Sequence, residues 1–296
     1  MRKMKTDYKV LQGDCRKTLK KLPEKSIHTC VTSPPYFGLR NYNDEEDQIG
    51  IEQSPEEYVQ ELVKVFREVK RVLADDGTLW LNLGDSYVST PLDKSKMDGL
   101  KTKDLIGIPW RVAFALQQDG WYLRQDIIWD KPNPMPESVK DRCTKSHEYI
   151  FLLTKNPKYY YDNDSIKEPA RNWGTRDRSK MRNGTTDPKL KHHGLQGKGW
   201  EENPKKNKRS VWTVNTKSYK GAHFATFPPD LIRPCILAGC PTGGTVLDPF
   251  GGSGTTAQVA LENDRNAILC ELSEEYIPLI KERVVVYDKP LEDFMS

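Results

Sequence analysis

The chain has 296 residues, of which 36% are hydrophobic and 30% charged, so it can bury a substantial core in one large α/β domain or two ordinary ones. No segment approaches the roughly 20 apolar residues of a membrane span, and the start MRKMKTDYKV lacks an apolar signal core, so we expect a cytoplasmic protein without membrane contact. The net charge is only +4, and the six cysteines show no C-x-x-C spacing, which argues against a metal site and a disulfide framework.

The spacing of apolar residues predicts alternating strands and helices, as in a mainly parallel α/β sheet. Ser54, Pro55 and Glu57 form a helix-start signal, and Asp75-Asp76-Gly77 ends that helix. In chain order we predict a strand ending near residue 11, a helix from about 16, a strand at 27–32, a helix from 55 to about 73, a strand at 78–83, a helix at 109–118, strands at 121–129 and 149–154, a helix at 228–237, a strand at 245–248, a helix at 255–263, a strand at 267–271 and a helix at 274–285.

The pattern weakens from 160 to 220 and then resumes, so we interpret 160–220 as an insert in a catalytic domain made of 1–159 and 221–296. Residues 171–220 contain fourteen Lys or Arg against four Asp or Glu, a balance of +10 that leaves −6 for the rest. Charge runs are usually only solvated loops, but this one is interleaved with aromatic residues, which favours nucleic acid as the partner. Those residues are Trp173, Trp200, Trp212, His192 and His193.

The stretch VLDPFGGSGTTAQVA, residues 246–260, predicts a strand, a glycine-rich turn and the start of a helix. Gly251, Gly252 and Gly254 allow positive φ and close backbone approach, and the first helical amides are expected to form an anion-binding nest. A tight strand–helix connection explains the glycines equally well. The sequence has no G-x-x-x-x-G-K-[ST], which disfavours a nucleoside triphosphate.

Two acidic residues sit at further strand ends. Glu271 lies about twenty positions past the glycines, where Rossmann-like folds place a carboxylate on ribose hydroxyls, so an adenosine-containing cofactor is indicated. Asp14, in LQGDC, either accepts a hydrogen bond from an amino group such as that of adenine or caps the following helix; taken alone, the cap is favoured.

The motif TSPPY, residues 32–36, follows the strand at 27–32. Proline fixes φ and removes an amide donor, so Pro34 and Pro35 are expected to leave backbone carbonyls free for a group outside the protein. Tyr36 then presents an aromatic ring beside them.

TSPPY followed by DPFGGSGTT, in that order, resembles the β class of S-adenosylmethionine-dependent DNA amino-methyltransferases, over residues 11 to about 285. The resemblance implies a Rossmann-like methyltransferase fold with a circularly permuted, mainly parallel sheet and a basic target-recognition insert. It implies that Asp248, Phe250, Gly251 and Gly254 border the methionine part of the cofactor, that Glu271 holds its ribose and that Asp14 holds the adenine amine. The segment HFATFPPDLIRPCI, 223–236, is similar to one that shapes the methionine pocket. The other residues placed beside the cofactor are Cys15, Thr32, Phe227, Pro249, Gly252, Ser253 and Leu272.

The resemblance also implies a reaction at an exocyclic amine whose lone pair is delocalised into a base. The Ser33 hydroxyl and the Pro34 carbonyl, held by the stiff turn that Pro35 continues, each accept one amine hydrogen, and Tyr36 stacks on the flipped base. Serine at the first position usually accompanies N4-cytosine methylation, so we expect N4-methylcytosine, with N6-adenine and RNA methylation as alternatives. The implied partners are double-stranded DNA, a second copy if the protein is not a monomer, and a cognate restriction endonuclease.

Three further residues are interpreted as structural. Pro234-Cys235 is similar to the nucleophile motif of cytosine-C5 methyltransferases but lies within a helical pattern, so Cys235 is expected to pack. Asp85 and His147 lie near strand ends without an assigned role. A DNA-binding pseudoenzyme is disfavoured because Ser33, Tyr36 and the glycines are all present.

Overall fold

The computed structural model describes residues 6–38, 48–88, 99–170, 205–217 and 227–285. It divides the chain into a larger unit, Met1–Asp162 with Arg209–Ser296, and a smaller unit, Asn163–Lys208. The boundaries of the smaller unit therefore differ from the predicted insert boundaries of 160 and 220. Trp173, Trp200, His192, His193 and 223–226 lie outside the described residues.

The secondary structure follows the predicted alternation, with ends shifted by one to three residues in most elements. The strands are β1 (Tyr8–Gln12), β2 (Ile27–Thr32), β3 (Leu73–Leu83), β4 (Tyr122–Asp130), β5 (His147–Thr154), β6 (Glu168–Pro169), β7 (Lys205–Lys206), β8 (Val211–Thr213), β9 (Thr245–Asp248) and β10 (Asn266–Glu271). The helices are α1 (Cys15–Thr18), α2 (Pro55–Val72), α3 (Ile108–Gln118), α4 (Pro229–Gly239), α5 (Thr255–Glu262) and α6 (Tyr276–Val285).

Eight strands form the sheet of the larger unit, in the order β1-β10-β9-β2-β3-β5-β4-β8. All neighbouring pairs are parallel except those on either side of β5, which runs antiparallel to both β3 and β4. The predicted α/β class with a mainly parallel sheet is confirmed. Because β5 is reversed, its first residues lie at the edge where the parallel strands end.

The helix α2 begins as predicted. The Ser54 hydroxyl accepts from the Glu57 amide at 3.2 Å, and the Glu57 carboxylate accepts from the Gln53 amide at 3.1 Å, a local arrangement of the kind that stabilises a helix by about 1 kcal/mol. Tyr58 and Phe66 are fully buried on its inner face. That face belongs to the same buried apolar cluster as Ile27 of β2 and Leu79 and Leu81 of β3.

The predicted end of α2 near residue 73 is confirmed, but the roles of Asp75-Asp76-Gly77 as a helix end and of residue 78 as the start of the next strand are wrong. The helix ends at Val72, and Leu73 already pairs with Ile27 of β2. The next paired residue on β2, Thr29, faces Thr78, so residues 74–77 bulge out of the ladder. The Asp-Asp-Gly turn thus lies within the start of β3, where its carboxylates are exposed and do not have to be buried with the sheet.

Trp212 does not belong to an exposed basic surface. It lies in β8, which pairs with β4 in the main sheet, and only 5% of it is exposed. Its indole nitrogen donates to the Arg209 carbonyl at 2.6 Å.

Among the described residues, none of the helices has the length and apolar character that crossing a membrane requires.

Candidate active site

The two motifs meet because β2 and β9 are neighbours in the sheet. Thr29 and Cys30 pair with Val246 and Leu247 in a parallel ladder, so both strands end at the same edge. The Thr32 hydroxyl donates a 2.6 Å hydrogen bond to Oδ1 of Asp248. Residues 216 positions apart in sequence are thereby joined directly.

Asp248 also fixes the start of the glycine turn. Its Oδ1 accepts from the Phe250 amide at 3.0 Å and its Oδ2 from the Thr256 hydroxyl at 2.6 Å. Burial raises the pKa of Asp248 to about 6, and these hydrogen bonds oppose that rise. Both carboxylate oxygens are therefore engaged within the protein, and Asp248 braces the turn that the sequence assigned to the cofactor.

The amides of the glycine turn are satisfied internally. Gly252 donates to Oε2 of Glu271 at 2.7 Å, Gly251 to the Cys270 carbonyl at 2.8 Å, and Gly254 to the Gly251 carbonyl at 2.9 Å. The chain's own groups therefore occupy these three amides, whereas the anion-binding nest expected at the first amides of the helix stays a prediction.

Close packing explains two of these glycines. A Cβ at Gly251 would lie 3.0 Å from Cβ of Leu269, and one at Gly254, where φ is +82°, would lie 3.1 Å from Ile280. Arg283 of α6 secures the turn from outside by donating to the Ser253 hydroxyl at 2.8 Å.

Glu271 ends β10 beside β1. It is 8% exposed, and its Oε1 accepts from the Ser273 amide at 2.9 Å. Burial raises its pKa to about 7, although the amide hydrogen bonds from Ser273 and Gly252 oppose the rise. A carboxyl group that titrates near neutrality at a strand end is a candidate for contact with a ligand.

Asp14 caps α1, as the sequence favoured. Its Oδ1 accepts from the Arg16 amide at 2.8 Å, and the Arg16 guanidinium pairs with its carboxylate at 3.0 Å and with Glu61 at 2.9 Å. The backbone next to Asp14 lies beside the end of β10, because Gly13 donates to the Glu271 carbonyl at 2.8 Å. A contact of Asp14 with adenine stays a prediction.

The proline turn is held from below by α2. The Tyr58 hydroxyl donates to the Pro35 carbonyl at 2.8 Å, so the expectation that this carbonyl is free is wrong. Among the described residues, no hydrogen bond to the Pro34 carbonyl is found. The Pro35 carbonyl therefore fixes the backbone of the turn, and the carbonyl of Pro34, a buried residue, stays without a hydrogen-bond partner among the described residues.

Tyr36 is held along one side of its ring and at its hydroxyl. The ring contacts Gly84 so closely that a Cβ there would lie 2.5 Å from it, and the hydroxyl donates to Oε2 of Glu148 at 2.6 Å. Burial, followed by the charge of Glu148, raises the pKa of Tyr36 well above its ordinary value, so the phenol keeps its proton.

Sequence reasoning missed the partners of Tyr36. Glu148 also accepts from Nδ2 of Asn82 at 3.1 Å and forms an ion pair with Lys131, whose ammonium lies 4.2 Å from the centre of the Trp129 ring. Glu148 belongs to the first residues of β5 and reaches the site only because that strand is antiparallel. The only hint in the sequence was that β5, an otherwise apolar strand, begins with polar residues, of which Glu148 is one.

The other residues singled out in the sequence either make structural contacts or lie near the ends of the strands. Asp85 is structural as expected, since its carboxylate accepts from the amides of Gly107 and Ile108 at the start of α3. His147 packs edge-on against Tyr149, and Cys235 is fully buried in α4. The remaining predicted cofactor residues border the ends of β1, β9 and β10 or the start of α4: Cys15 and Pro249, both buried, and Phe250, Leu272 and Phe227, all half-buried.

Comparison with known proteins identifies the family. The family model described as DNA methylase, for N6 and N4 methyltransferases, matches residues 27–282. The type II methyltransferase M.SmaI of Serratia marcescens is 50% identical over 94% of this chain and 90% of its own, and M.Cfr9I of Citrobacter freundii is 47% identical over 93% and 87%. The chain belongs to this family of DNA amino-methyltransferases.

Solved structures share the fold. The PvuII DNA methyltransferase, a cytosine-N4-specific enzyme, aligns with a TM-score of 0.67 at 19% identity, over 99% of this chain and 91% of its own. The Thermus thermophilus protein TTHA0409, solved in complex with S-adenosyl-L-methionine, aligns with a TM-score of 0.61 at 26% identity, over 95% and 94%. The predicted Rossmann-like methyltransferase fold is confirmed.

S-adenosyl-L-methionine is the cofactor of this family, and the residues present fit it. A Cβ at Gly252 would meet nothing closer than the Phe250 carbonyl at 3.9 Å, and one at Gly13 nothing closer than Thr18 at 3.8 Å. Gly252 and Gly13 thus leave a surface free of side chains next to Glu271 and Asp14. Carboxylates there suit the hydroxyl and amine donors of an adenosine and the positive charge of the sulfonium.

If Glu271 accepts hydrogen bonds from the ribose, cofactor affinity will depend on its ionisation. With a pKa of about 7, the carboxylate is present above neutral pH and is lost as the pH falls, so affinity at about pH 6 should be up to about tenfold weaker than at about pH 8. Calorimetric titration with S-adenosylmethionine at both pH values measures this. Glu271→Gln should bind weakly at both, and an equal affinity of the unaltered protein at the two values would remove Glu271 from the pocket.

Proposed function

We propose that the protein transfers the methyl group of S-adenosylmethionine to the N4 amine of a cytosine flipped out of duplex DNA. The observation that carries the proposal is the Thr32–Asp248 hydrogen bond, because it fixes the Ser33-Pro34 turn beside the glycine turn. When bound, S-adenosylmethionine supplies an electrophilic methyl group. The protein itself then has to hold the target amine in the right position and orientation.

An exocyclic amine is a weak nucleophile because its lone pair is delocalised into the ring. The Ser33 hydroxyl and the Pro34 carbonyl would each accept one amine hydrogen and favour a pyramidal nitrogen. The nitrogen lone pair would then point away from the turn and toward the methyl donor. Fixed dipoles of this kind lower the barrier without a covalent intermediate, since they need no reorganisation during the reaction.

Tyr36 is proposed to stack on the flipped base. Its ring is held against Gly84 and its hydroxyl is tied to Glu148, so the stacking surface is ordered before the base arrives. Preorganisation of this kind reduces the entropy that binding would otherwise lose.

The choice of cytosine depends on Ser33. Cytosine N4 and adenine N6 both present an amine beside a ring nitrogen, so the turn suits either base on geometry alone. Serine rather than aspartate at this position supports cytosine within the family. Kinship with type II methyltransferases supports a restriction endonuclease of the same recognition sequence as partner.

The target atom can be read from the product. Duplex DNA from a host without the enzyme is incubated with the protein and labelled S-adenosylmethionine, digested, and its nucleosides are separated by mass spectrometry. We expect label in N4-methylcytosine, and Ser33→Ala should lose at least about tenfold in rate with unchanged cofactor affinity, because it removes one amine contact. Label only in N6-methyladenine would contradict the cytosine assignment and leave the turn's role intact.

The smaller unit is proposed to contact the DNA backbone. In its described part, β6 pairs with β7, and Lys206 forms an ion pair with Glu168 at 3.4 Å, while Lys205 is exposed. The remaining charge of the predicted insert lies mostly outside the described residues. Phosphate contacts by such lysines add affinity without sequence preference and release counterions.

Replacing Lys205 and Lys208 by alanine should weaken DNA binding at low salt and flatten its salt dependence by up to about one unit of slope per contact. Fluorescence anisotropy of a labelled duplex over a range of salt concentrations measures the slope. Replacing Lys20 and Lys21, which are exposed on the larger unit next to α1, is the matched control. Equal slopes for the two double variants would place the backbone contact elsewhere.

A further inference from the structure

The loop between β4 and β5, residues 131–146, lies at the same edge of the sheet as the catalytic turn. Both β3 and β4 run antiparallel to β5, so β4 has the direction of β3 and β2 and ends at the edge where they end. Lys131, the first residue of the loop, forms an ion pair with Glu148, which accepts the hydrogen bond of the Tyr36 hydroxyl at 2.6 Å. The start of the β4–β5 loop is therefore attached to the side chain that holds Tyr36.

The end of the β4–β5 loop is attached at the same place. The ammonium group of Lys145 donates to the carbonyl of Asp85 at 2.7 Å. Asp85 follows Gly84, the residue against which the Tyr36 ring is packed. Both ends of the loop are thus fixed beside the ring that is proposed to stack on the flipped base.

The backbone of the first half of the loop is stiff. Its sequence KPNPMPE, residues 131–137, has a proline at every second position, and each proline fixes its own φ and restricts the residue before it to extended backbone. The Asn133 side chain ties this half to a second segment, since its Oδ1 accepts from the Thr216 amide at 2.9 Å. The segment therefore has a restricted shape although it belongs to no helix or strand.

Met135 is the residue that this stiff segment presents to solvent. It lies between two prolines, and 86% of it is exposed, the largest fraction among the large apolar residues that the structure describes. A single exposed apolar residue is ordinary in itself, but this one is held on a restricted backbone beside a site that requires a base to leave its stack. The loop also has four basic residues against two acidic ones, and this charge suits duplex DNA.

We propose that Met135 is a wedge that inserts into the DNA stack when the target base leaves it. The proposal rests on the proposed function, because only a base flipped toward Tyr36 leaves a space to fill. Unstacking a base costs free energy, and an apolar side chain that enters the gap restores contacts with the neighbouring bases. Methionine suits this position because its unbranched, polarisable side chain adapts to flat rings, and the flanking prolines reduce the entropy lost on insertion.

A comparison of a paired target base with a mispaired one tests the wedge, since a mispaired base is easier to unstack. The duplex carries the sequence that the unaltered protein methylates, identified by sequencing the product DNA. Single-turnover rates of methyl transfer on both duplexes, and the affinity for S-adenosylmethionine, are measured for the unaltered protein, Met135→Ala and Met135→Leu. Leu105→Ala is the matched control, since Leu105 is 50% exposed and lies outside the loop.

We expect Met135→Ala to lose at least about tenfold in rate on the paired duplex and less than about threefold on the mispaired duplex, with cofactor affinity within about twofold. Met135→Leu, which keeps an apolar side chain of similar size, should recover most of the rate on the paired duplex. Leu105→Ala should keep the full rate on both duplexes.

A full rate of Met135→Ala on the paired duplex would overturn the proposal, and so would an equal loss on both duplexes, because that pattern indicates a structural effect. Either result leaves the proposed function standing, since the unaltered protein still methylates DNA. Absence of methyl transfer to DNA by the unaltered protein would instead sink the proposed function and the wedge together. The rate counts label in either base, so the test does not depend on cytosine being the target.

Discussion

The carboxylate of Asp248 accepts hydrogen bonds from both halves of the active site, and the arrangement of the site depends on it. Thr32 approaches it from the catalytic turn, and Thr256 with the Phe250 amide from the glycine turn. Burying a carboxylate is costly, as its raised pKa of about 6 reflects, and three hydrogen bonds offset that cost. These hydrogen bonds hold together two loops that are far apart in the sequence.

The same edge of the sheet shows how a methyltransferase can act without a nucleophile of its own. Pro35 is tied to Tyr58 and Tyr36 to Glu148, so the backbone and ring of the turn are both fixed. In the proposed function, Glu271 and Asp14 provide carboxylates for a cofactor with hydroxyl, amine and sulfonium groups. In the proposed mechanism, the reaction therefore depends on the positions of hydrogen-bond acceptors more than on any reactive group.

Local signals in the sequence predicted most of the fold. Glycines at a strand–helix turn, the Ser54 cap and apolar periodicity depend on neighbours within a few residues, and they identified the elements and the place of Asp14 as a cap. Features that depend on pairing between distant segments were not predictable. The start of β3 before Asp75, the burial of Trp212 and the use of the Pro35 carbonyl each follow from a partner far away in the chain.

Glu148 shows the same limit at the site. Its sequence context is the start of an apolar strand, and only the reversal of β5 between β3 and β4 brings it to Tyr36. A model with all strands parallel would have placed it at the opposite edge of the sheet. The direction of one strand therefore decided whether the contact between Glu148 and Tyr36 could be predicted.

The claim that Asp248 joins the two turns is tested most directly by Thr32→Val, which removes one hydroxyl and retains the shape. Thr29→Val on the same strand is the control, because its hydroxyl bonds to Thr78 at 2.8 Å within the core. A charge-assisted hydrogen bond of this kind contributes about 1.5–3 kcal/mol, so the single-turnover rate of methyl transfer should fall by at least about tenfold in Thr32→Val and hold in Thr29→Val. A rate within about twofold of the unaltered protein in Thr32→Val would contradict the account.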